Sequence, residues 1–105
     1  MKEILLTELS QILKKDFTAS DTLIDVRTPE ECEEKQIQGA RNIPLYEIQE
    51  HAEELKQFNR IFLCCKAGVR SRIAGEYLSQ LGVKGLFSVK GSIEDWEAVG
   101  LPIKS

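Results

Sequence analysis

The sequence predicts an α/β fold in which helices flank a central, mainly parallel sheet. Two observations lead to this prediction. Short apolar runs of strand length alternate along the chain with stretches of helical periodicity. One of these runs, Arg60 to Cys65, is apolar throughout its middle, which is typical of a strand that is covered on both faces in a parallel sheet.

Periodicity and capping residues define the elements in the first half of the chain. Apolar residues at helical spacing predict an amphipathic helix over about residues 7 to 15. The compact run Thr22 to Val26 predicts a strand. Thr28 to Glu31 combines an N-cap residue, a proline at the first helical position and acids in the first turn, which predicts a short helix. Ile37 to Pro44 contains a turn and a short extended piece.

The second half of the chain repeats the alternation of helix and strand around Arg60 to Cys65. The polar stretch Glu47 to Phe58 has one apolar face and predicts a helix, and a further helix is predicted over Arg70 to Leu81, with Gly82 as its stop. Gly85 to Val89 predicts a strand, and Ile93 to Trp96 a last helical turn with Trp96 in the core. The inward face of the Arg70 to Leu81 helix is predicted to consist of Ile73, Ala74, Tyr77, Leu78 and Leu81.

Length and charge limit the classes of protein to which the chain can belong. With 105 residues it is expected to form one domain, residues 1–105, with its own core. The net charge of -3 and the acidic cluster Glu30 to Glu34 argue against a nucleic-acid or anionic-membrane surface. The N-terminal residues do not resemble a signal peptide and no apolar segment has membrane length, so a cytoplasmic location is expected.

The cysteine content argues against two structural uses of sulfur. Cys64 and Cys65 are adjacent, and a bridge between them would need strained geometry, so a disulfide framework is not expected. No metal site is expected either, because His51 is the only histidine and there is no CxxC pair. His51 itself lies among glutamates and is predicted to be a surface residue.

The segment Cys65 to Ser71 has the features of a nucleophile loop. If Cys65 ends a central strand and a helix opens at Arg70, the sulfur lies at the carboxyl edge of the sheet, where open α/β folds bind ligands. Gly68 permits a tight loop, whose backbone N–H groups and helix N-terminus stabilise an anion. Lys66 and Arg70 add positive charge at the rim. We therefore expect an activated thiolate that forms a covalent intermediate.

The other two cysteines are interpreted as structural. Along a strand, the side chain of Cys64 points to the opposite face from that of Cys65, so Cys64 is assigned to packing. Cys32 lies on the short acidic helix and is assigned to packing as well.

Four sequence blocks in a fixed order resemble the single-domain rhodanese family. They are Leu23 to Glu31, Ile37 to Pro44, Cys65 to Ser71, and Gly91 to Trp96 together with Gly100 to Pro102. The resemblance covers nearly the whole chain. It implies a rhodanese-like three-layer fold and a sulfurtransferase that works through a persulfide on Cys65 without a cofactor.

The resemblance also implies substrates and binding residues. Thiosulfate or a persulfide would donate the sulfane sulfur, and a thiol, cyanide in the assay, or a protein partner would accept it. The backbone of Lys66, Ala67, Gly68, Val69 and Arg70 would cradle the persulfide. Arg27 would line the pocket, and Asp25 would have a structural role.

Three alternatives remain open on the sequence alone. A phosphatase or arsenate reductase of related fold is disfavoured, because its loop has five residues between Cys and Arg and this chain has four, Lys66 to Val69. A regulatory module that keeps the fold without catalysis would be expected to lose Cys65. A persulfide relay that serves a specific protein partner shares the same chemistry and is not separated from a free-standing enzyme.

Overall fold

A five-stranded parallel sheet forms the centre of the computed structural model, which describes residues 1–105. The seven strands of the chain are Lys2–Leu5 (β1), Asp21–Asp25 (β2), Gln36–Ile37 (β3), Arg41–Asn42 (β4), Arg60–Cys64 (β5), Leu86–Lys90 (β6) and Ile103–Lys104 (β7). The α-helices are Leu6–Lys15 (α1), Pro29–Glu34 (α2), Ala52–Leu55 (α3) and Val69–Gln80 (α4), with 3₁₀ helices at Leu45–His51 and Ile93–Asp95.

The strand order places β5 in the middle of the sheet, as the sequence predicts. The order is β1-β6-β5-β2-β4, and all four pairings are parallel. Phe62 of β5 pairs with Leu23 on one side and with Phe87 on the other. Because the strands are parallel, the loops that follow β2, β5 and β6 all leave the sheet at its carboxyl edge.

Helices cover both faces of the sheet, which confirms the three-layer α/β architecture. On one face, side chains of α3 and α4 pack against Ile61 and Leu63 of β5. On the other face, α1 and the segment around Trp96 and Leu101 pack against Phe62. Trp96 is almost fully buried, as expected. None of the helices is long and apolar enough to cross a bilayer.

The short helix α2 begins with the capping arrangement that its sequence indicates. The backbone N–H of Glu31 donates to Thr28 Oγ1 at 3.3 Å, and the backbone N–H of Thr28 donates to Glu31 Oε1 at 3.0 Å. Pro29 occupies the first helical position. This reciprocal capping box satisfies two backbone donors that the helix leaves free, and it fixes the place of the Glu31 carboxylate relative to the end of β2.

The inward face of α4 differs from the prediction. Tyr77 and Leu81 are 42% and 44% exposed, and the buried positions of the helix are Ser71, Ala74, Gly75 and Leu78. These residues also have helical spacing, but they are smaller, and they let the helix lie close to the sheet. At Gly75 the side chain of Met1 occupies the place that a Cβ would need, so no larger residue fits there without a shift of Met1.

Two further differences concern short elements. The edge strand β1 was not predicted, and it pairs with β6 from Lys2 to Leu5. The predicted helix Glu47 to Phe58 is instead the 3₁₀ helix Leu45–His51 followed by the single α-turn α3. Short elements of this kind carry little periodicity, so tertiary packing decides them.

Candidate active site

Cys65 lies at the carboxyl edge of the sheet, immediately after β5. Its side chain is 3% exposed and belongs to the apolar cluster on the α4 side of the sheet. The chain turns through Lys66, Ala67 and Gly68 and then enters α4 at Val69. Gly68 has a φ of +95°, a left-handed conformation that side chains other than glycine resist. This residue is what allows the loop to fold back over the sulfur.

The loop directs hydrogen-bond donors at the Cys65 sulfur. The backbone N–H of Gly68 donates to Cys65 Sγ at 2.9 Å, and the backbone N–H of Ser71 donates at 3.4 Å. The Ser71 hydroxyl oxygen lies 3.6 Å from the same sulfur. The sulfur also lies at the N-terminus of the 12-residue helix α4, whose dipole favours negative charge there. The arrangement can stabilise a thiolate or an anionic sulfur bound to it.

Ser71 and Ser88 stabilise the loop by hydrogen bonds, and neither was among the predicted site residues. Ser71 Oγ donates to the carbonyl of Gly68 at 3.1 Å and lies 2.9 Å from Ser88 Oγ. Both serines are buried. Ser71 could have been found as the residue that ends the loop motif. Ser88 is visible in the sequence as a polar residue within the apolar strand Gly85 to Val89.

Of the predicted rim residues, Lys66 is exposed and Arg70 forms an ion pair. Lys66 makes no ion pair and shares the open side of the loop with Ala67 and Val69, which are not buried either. Arg70 Nη1 and Nη2 donate to the two carboxylate oxygens of Glu31 at 2.7 and 3.0 Å. The Arg70 guanidinium lowers the pKa of the Glu31 carboxyl to about 2.

Arg27 is 1% exposed and is held by several partners. It forms an ion pair with Asp25 at 2.7 Å and donates to the carbonyl oxygen of Lys35 at 2.6 Å. Its guanidinium lies 4.9 Å from the ring centroid of Trp96, within range of a cation–π interaction. The structure therefore places Arg27 at the carboxyl edge of the sheet near the loop, but with most of its donors already engaged.

A cavity of about 300 Å³ opens beside the loop. It is lined by Arg27, Glu31, Glu34, Lys35, Lys66, Ile93 and Glu94. The backbone N–H of Ile93 donates to the carbonyl of Lys66 at 3.0 Å, which ties the loop to the segment after β6. A larger hollow of about 490 Å³ around Met1 and Gly82 lies at the amino end of the sheet, away from the cysteine.

The other two cysteines lack the donors that surround Cys65. Cys64 is 1% exposed, and its burial raises the pKa of its thiol well above the usual value. Burial and the neighbouring Asp25 carboxylate raise the pKa of Cys32 to about 12. Both thiols therefore stay protonated, and all three cysteines are free of disulfides. No cluster of three or more His, Cys, Asp or Glu side chains is arranged to hold a metal ion.

His51 lies near the surface, away from the loop. Its Nδ1 is 3.1 Å from Glu54 Oε1 and 3.3 Å from Arg41 Nη2. These partners belong to α3 and to β4, and neither of them lies at the cysteine loop. The structure thus gives Cys65 no histidine as a base.

Comparison with known proteins identifies the same fold and family. Residues 5–99 match the family model of the rhodanese-like domain. The crystal structure of a rhodanese-like domain protein from Staphylococcus aureus superimposes with a TM-score of 0.82 at 33% identity, and the alignment covers 100% of both chains.

The curated relatives include proteins named for sulfur transfer. A sulfurtransferase from Allochromatium vinosum is 33% identical over 77% of this chain and 76% of its own length. Thiosulfate sulfurtransferase GlpE of Coxiella burnetii is 27% identical over 92% and 88% of the two chains. Putative sulfur carrier protein YrkF of Bacillus subtilis is 35% identical over 79% of this chain. The chain spans only 45% of YrkF, and 59% of the uncharacterized YqhL from the same organism.

Proposed function

The chain belongs to the family of rhodanese-like domains, and on that premise we propose that it transfers sulfane sulfur through a persulfide on Cys65. One observation carries the proposal. The Cys65 sulfur accepts hydrogen bonds from the backbone N–H groups of Gly68 and Ser71 at the N-terminus of α4. Backbone donors in this position stabilise a thiolate, and they stabilise the terminal sulfur of a persulfide for the same reason.

In the first half of the proposed reaction, Cys65 takes up a sulfur atom. The thiolate attacks the sulfane sulfur of the donor, a sulfur–sulfur bond forms to Cys65, and the donor's own sulfur–sulfur bond breaks. With thiosulfate, the electron pair leaves with sulfite and the enzyme retains an anionic persulfide. With an alkyl persulfide, the pair leaves with the thiolate of the donor and the proton stays on the transferred sulfur.

In the second half, an acceptor removes the terminal sulfur. Cyanide attacks that sulfur, thiocyanate leaves, and the bond electrons return to Cys65 as a thiolate. A thiol acceptor would itself become the persulfide. The roles of the loop residues follow from their positions. Lys66, Ala67, Gly68, Val69 and Arg70 supply the backbone of the cradle, Lys66 adds a free positive charge, and Arg27 lines the adjoining cavity.

A second candidate is a persulfide carrier that serves a protein partner. The observation in its favour is the 3% exposure of Cys65, because a persulfide on a sulfur this buried is shielded from reaction with small thiols in solution. The name of YrkF as a putative sulfur carrier agrees with that role, although this chain matches only part of that protein. Both candidates require the same persulfide on Cys65.

The test is the intact mass of the protein after brief incubation with thiosulfate or glutathione persulfide. We expect wild type to gain one sulfur that cyanide removes as thiocyanate. The same is expected of Cys64→Ser, a matched control one residue away, whereas Cys65→Ser should gain nothing. The proposal would be contradicted if Cys65→Ser gained the same sulfur as wild type. It would also be contradicted if wild type gained no sulfur from thiosulfate and none from glutathione persulfide.

A further inference from the structure

We infer that Glu31 is a positioning residue that holds Arg70 in an ion pair and so makes an alkyl persulfide, rather than thiosulfate, the preferred sulfur donor. The inference rests on the proposed function, since it concerns the donor for the persulfide on Cys65. It follows from three observations: the geometry of the ion pair, the charges that line the adjoining cavity and the charges of the two classes of donor.

The ion pair joins two elements that are 39 residues apart in sequence. Both carboxylate oxygens of Glu31 and both terminal guanidinium nitrogens of Arg70 are engaged, at 2.7 and 3.0 Å. The Glu31 carboxylate has a second partner as well, because the backbone N–H of Thr28 donates to its Oε1 at 3.0 Å. A bidentate pair with one partner fixed by a helix cap restricts where the guanidinium can reach.

The cavity beside the loop has little free positive charge. Of its cationic side chains, Arg27 is paired with Asp25 at 2.7 Å, and Lys35 is paired with Glu97 at 3.0 Å. Lys66 is therefore the single cation of the cavity without an ion-pair partner. The carboxylates that line the same cavity are those of Glu31, Glu34 and Glu94.

This balance of charge discriminates between the two donors. Thiosulfate is a dianion and releases sulfite, a second dianion, so both the bound donor and its leaving group need concentrated positive charge. An alkyl persulfide carries at most one negative charge at its sulfur and releases a single thiolate. Like charges that line one cavity repel, so the donor with less charge on its reacting group is repelled less. One free lysine among three carboxylates suits the persulfide.

The substitution Glu31→Gln tests this without dismantling α2. Glutamine is the other residue that serves in a capping box, so its side-chain oxygen can still accept from Thr28. The change removes the negative charge and frees Arg70 to meet an anion. Glu30→Gln is the matched control, since Glu30 is an exposed neighbour on the same helix and makes no ion pair or side-chain hydrogen bond. It loses the same charge without contacting Arg70.

The experiment measures kcat/KM for thiosulfate and for 2-hydroxyethyl persulfide, an alkyl persulfide with no other charged group, with wild type and both variants. We expect Glu31→Gln to raise the value for thiosulfate about tenfold, because one nearby carboxylate charge is lost and Arg70 is released. The value for the persulfide should change less than about twofold, and Glu30→Gln should resemble wild type with both donors. Glu94→Gln removes a cavity carboxylate without releasing Arg70, so it should raise the thiosulfate value by a smaller factor.

The outcomes separate this inference from the proposed function. If wild type forms the persulfide on Cys65 but Glu31→Gln changes both donors equally, or changes neither, the inference is overturned and the proposed function stands. If wild type prefers thiosulfate, the inference is also overturned. If neither donor loads Cys65, both fail. A thiosulfate-specific gain in Glu31→Gln supports the assignment, since a merely structural role of Glu31 would lower both rates together.

Discussion

Cys64 and Cys65 are neighbours in sequence, and their side chains lie on opposite faces of the sheet in different surroundings. Cys64 packs on the α1 side of the sheet in an apolar cluster that includes Phe62 and Trp96. Cys65 lies on the α4 side, where the backbone N–H groups of Gly68 and Ser71 point at its sulfur. The donors around each thiol, rather than its depth, distinguish the two sites, because both side chains are at most 3% exposed.

The cause of the difference is the alternation of side chains along β5. Successive residues of a strand face opposite sides of a sheet, so Phe62 and Cys64 point one way while Leu63 and Cys65 point the other. Only the α4 side has a helix whose N-terminus meets the end of β5. Burial, and after it the neighbouring Asp25 carboxylate, therefore raise the pKa of the Cys64 thiol.

Removing each sulfur in turn should produce the greatest change. Cys65→Ser should lower the rate of thiocyanate formation at least about a thousandfold, because the nucleophile of the covalent step is lost. Cys64→Ser should stay within about threefold of wild type, since its side chain lies on the other face. Steady-state kinetics with cyanide as acceptor measure both. Comparable losses in the two variants would show that the environments do not separate the thiols as described.

Substitution of the loop glycine should have the next greatest consequence. In Gly68→Ala the new Cβ would have room, with its nearest neighbours 3.8 Å away, but the φ of +95° is strained for alanine. The backbone should relax and move the Gly68 N–H away from the sulfur, which we expect to lower kcat/KM about tenfold.

Gly39→Ala is the control for backbone strain. Gly39 has a φ of +88°, and no atom lies within 4 Å of the place that a Cβ would occupy. The variant should therefore lose about 1 kcal/mol of stability, as Gly68→Ala does, while retaining activity. Thermal unfolding measures the stability of both variants, and steady-state kinetics measure their activity. If Gly39→Ala lost activity to the same extent, general destabilisation would explain the effect at Gly68.

A smaller effect is expected when Cys64, on the α1 side of the sheet, is replaced: the protein should lose some of its stability to unfolding. Cys64→Ser would place a hydroxyl among apolar side chains at a position that is 1% exposed. A buried hydroxyl without a partner costs about 1–3 kcal/mol. Urea unfolding should show the loss in Cys64→Ser and a smaller loss in Cys32→Ser, because Cys32 is only half-buried. Equal losses would argue against the packing role assigned to Cys64.

The weakest effect is a pH dependence on the side of Cys65. The pKa of Glu31 falls from 4.5 to about 2 in the folded protein because Arg70 donates to it. A depressed pKa contributes stability that is present above pH 4.5 and is lost as the pH falls toward 2. After discounting for partial exposure, we expect wild type to lose about 1 kcal/mol more than Glu31→Gln on acidification through this range.

Urea unfolding of wild type and Glu31→Gln at a series of pH values measures this difference directly. Other carboxylates titrate in both proteins, so only the difference between them reports on Glu31. Parallel pH profiles would mean that the ion pair does not stabilise the folded state.

Sequence motifs were sufficient to predict the elements that carry strong local signals. The central strand, the capped start of α2 at Thr28, and the glycine in the cysteine loop each depend on neighbours within a few residues. The prediction for the inward face of α4 was wrong at Tyr77 and Leu81. Helical spacing alone allows two overlapping faces, and the structure buries the one that carries the small residues Ser71, Ala74 and Gly75.

Local sequence was enough to determine the position of Cys65, the turn that follows it and the face of the sheet on which its side chain lies, since these follow from backbone geometry. Which charges meet was settled only when the chain folded. Three contacts join distant segments at one edge of the sheet: the pairing of Glu31 with Arg70, the contact of Ser88 with Ser71, and the packing of Arg27 against Trp96. Their energies depend on distance and desolvation in space, and neither quantity is encoded in spacing along the chain.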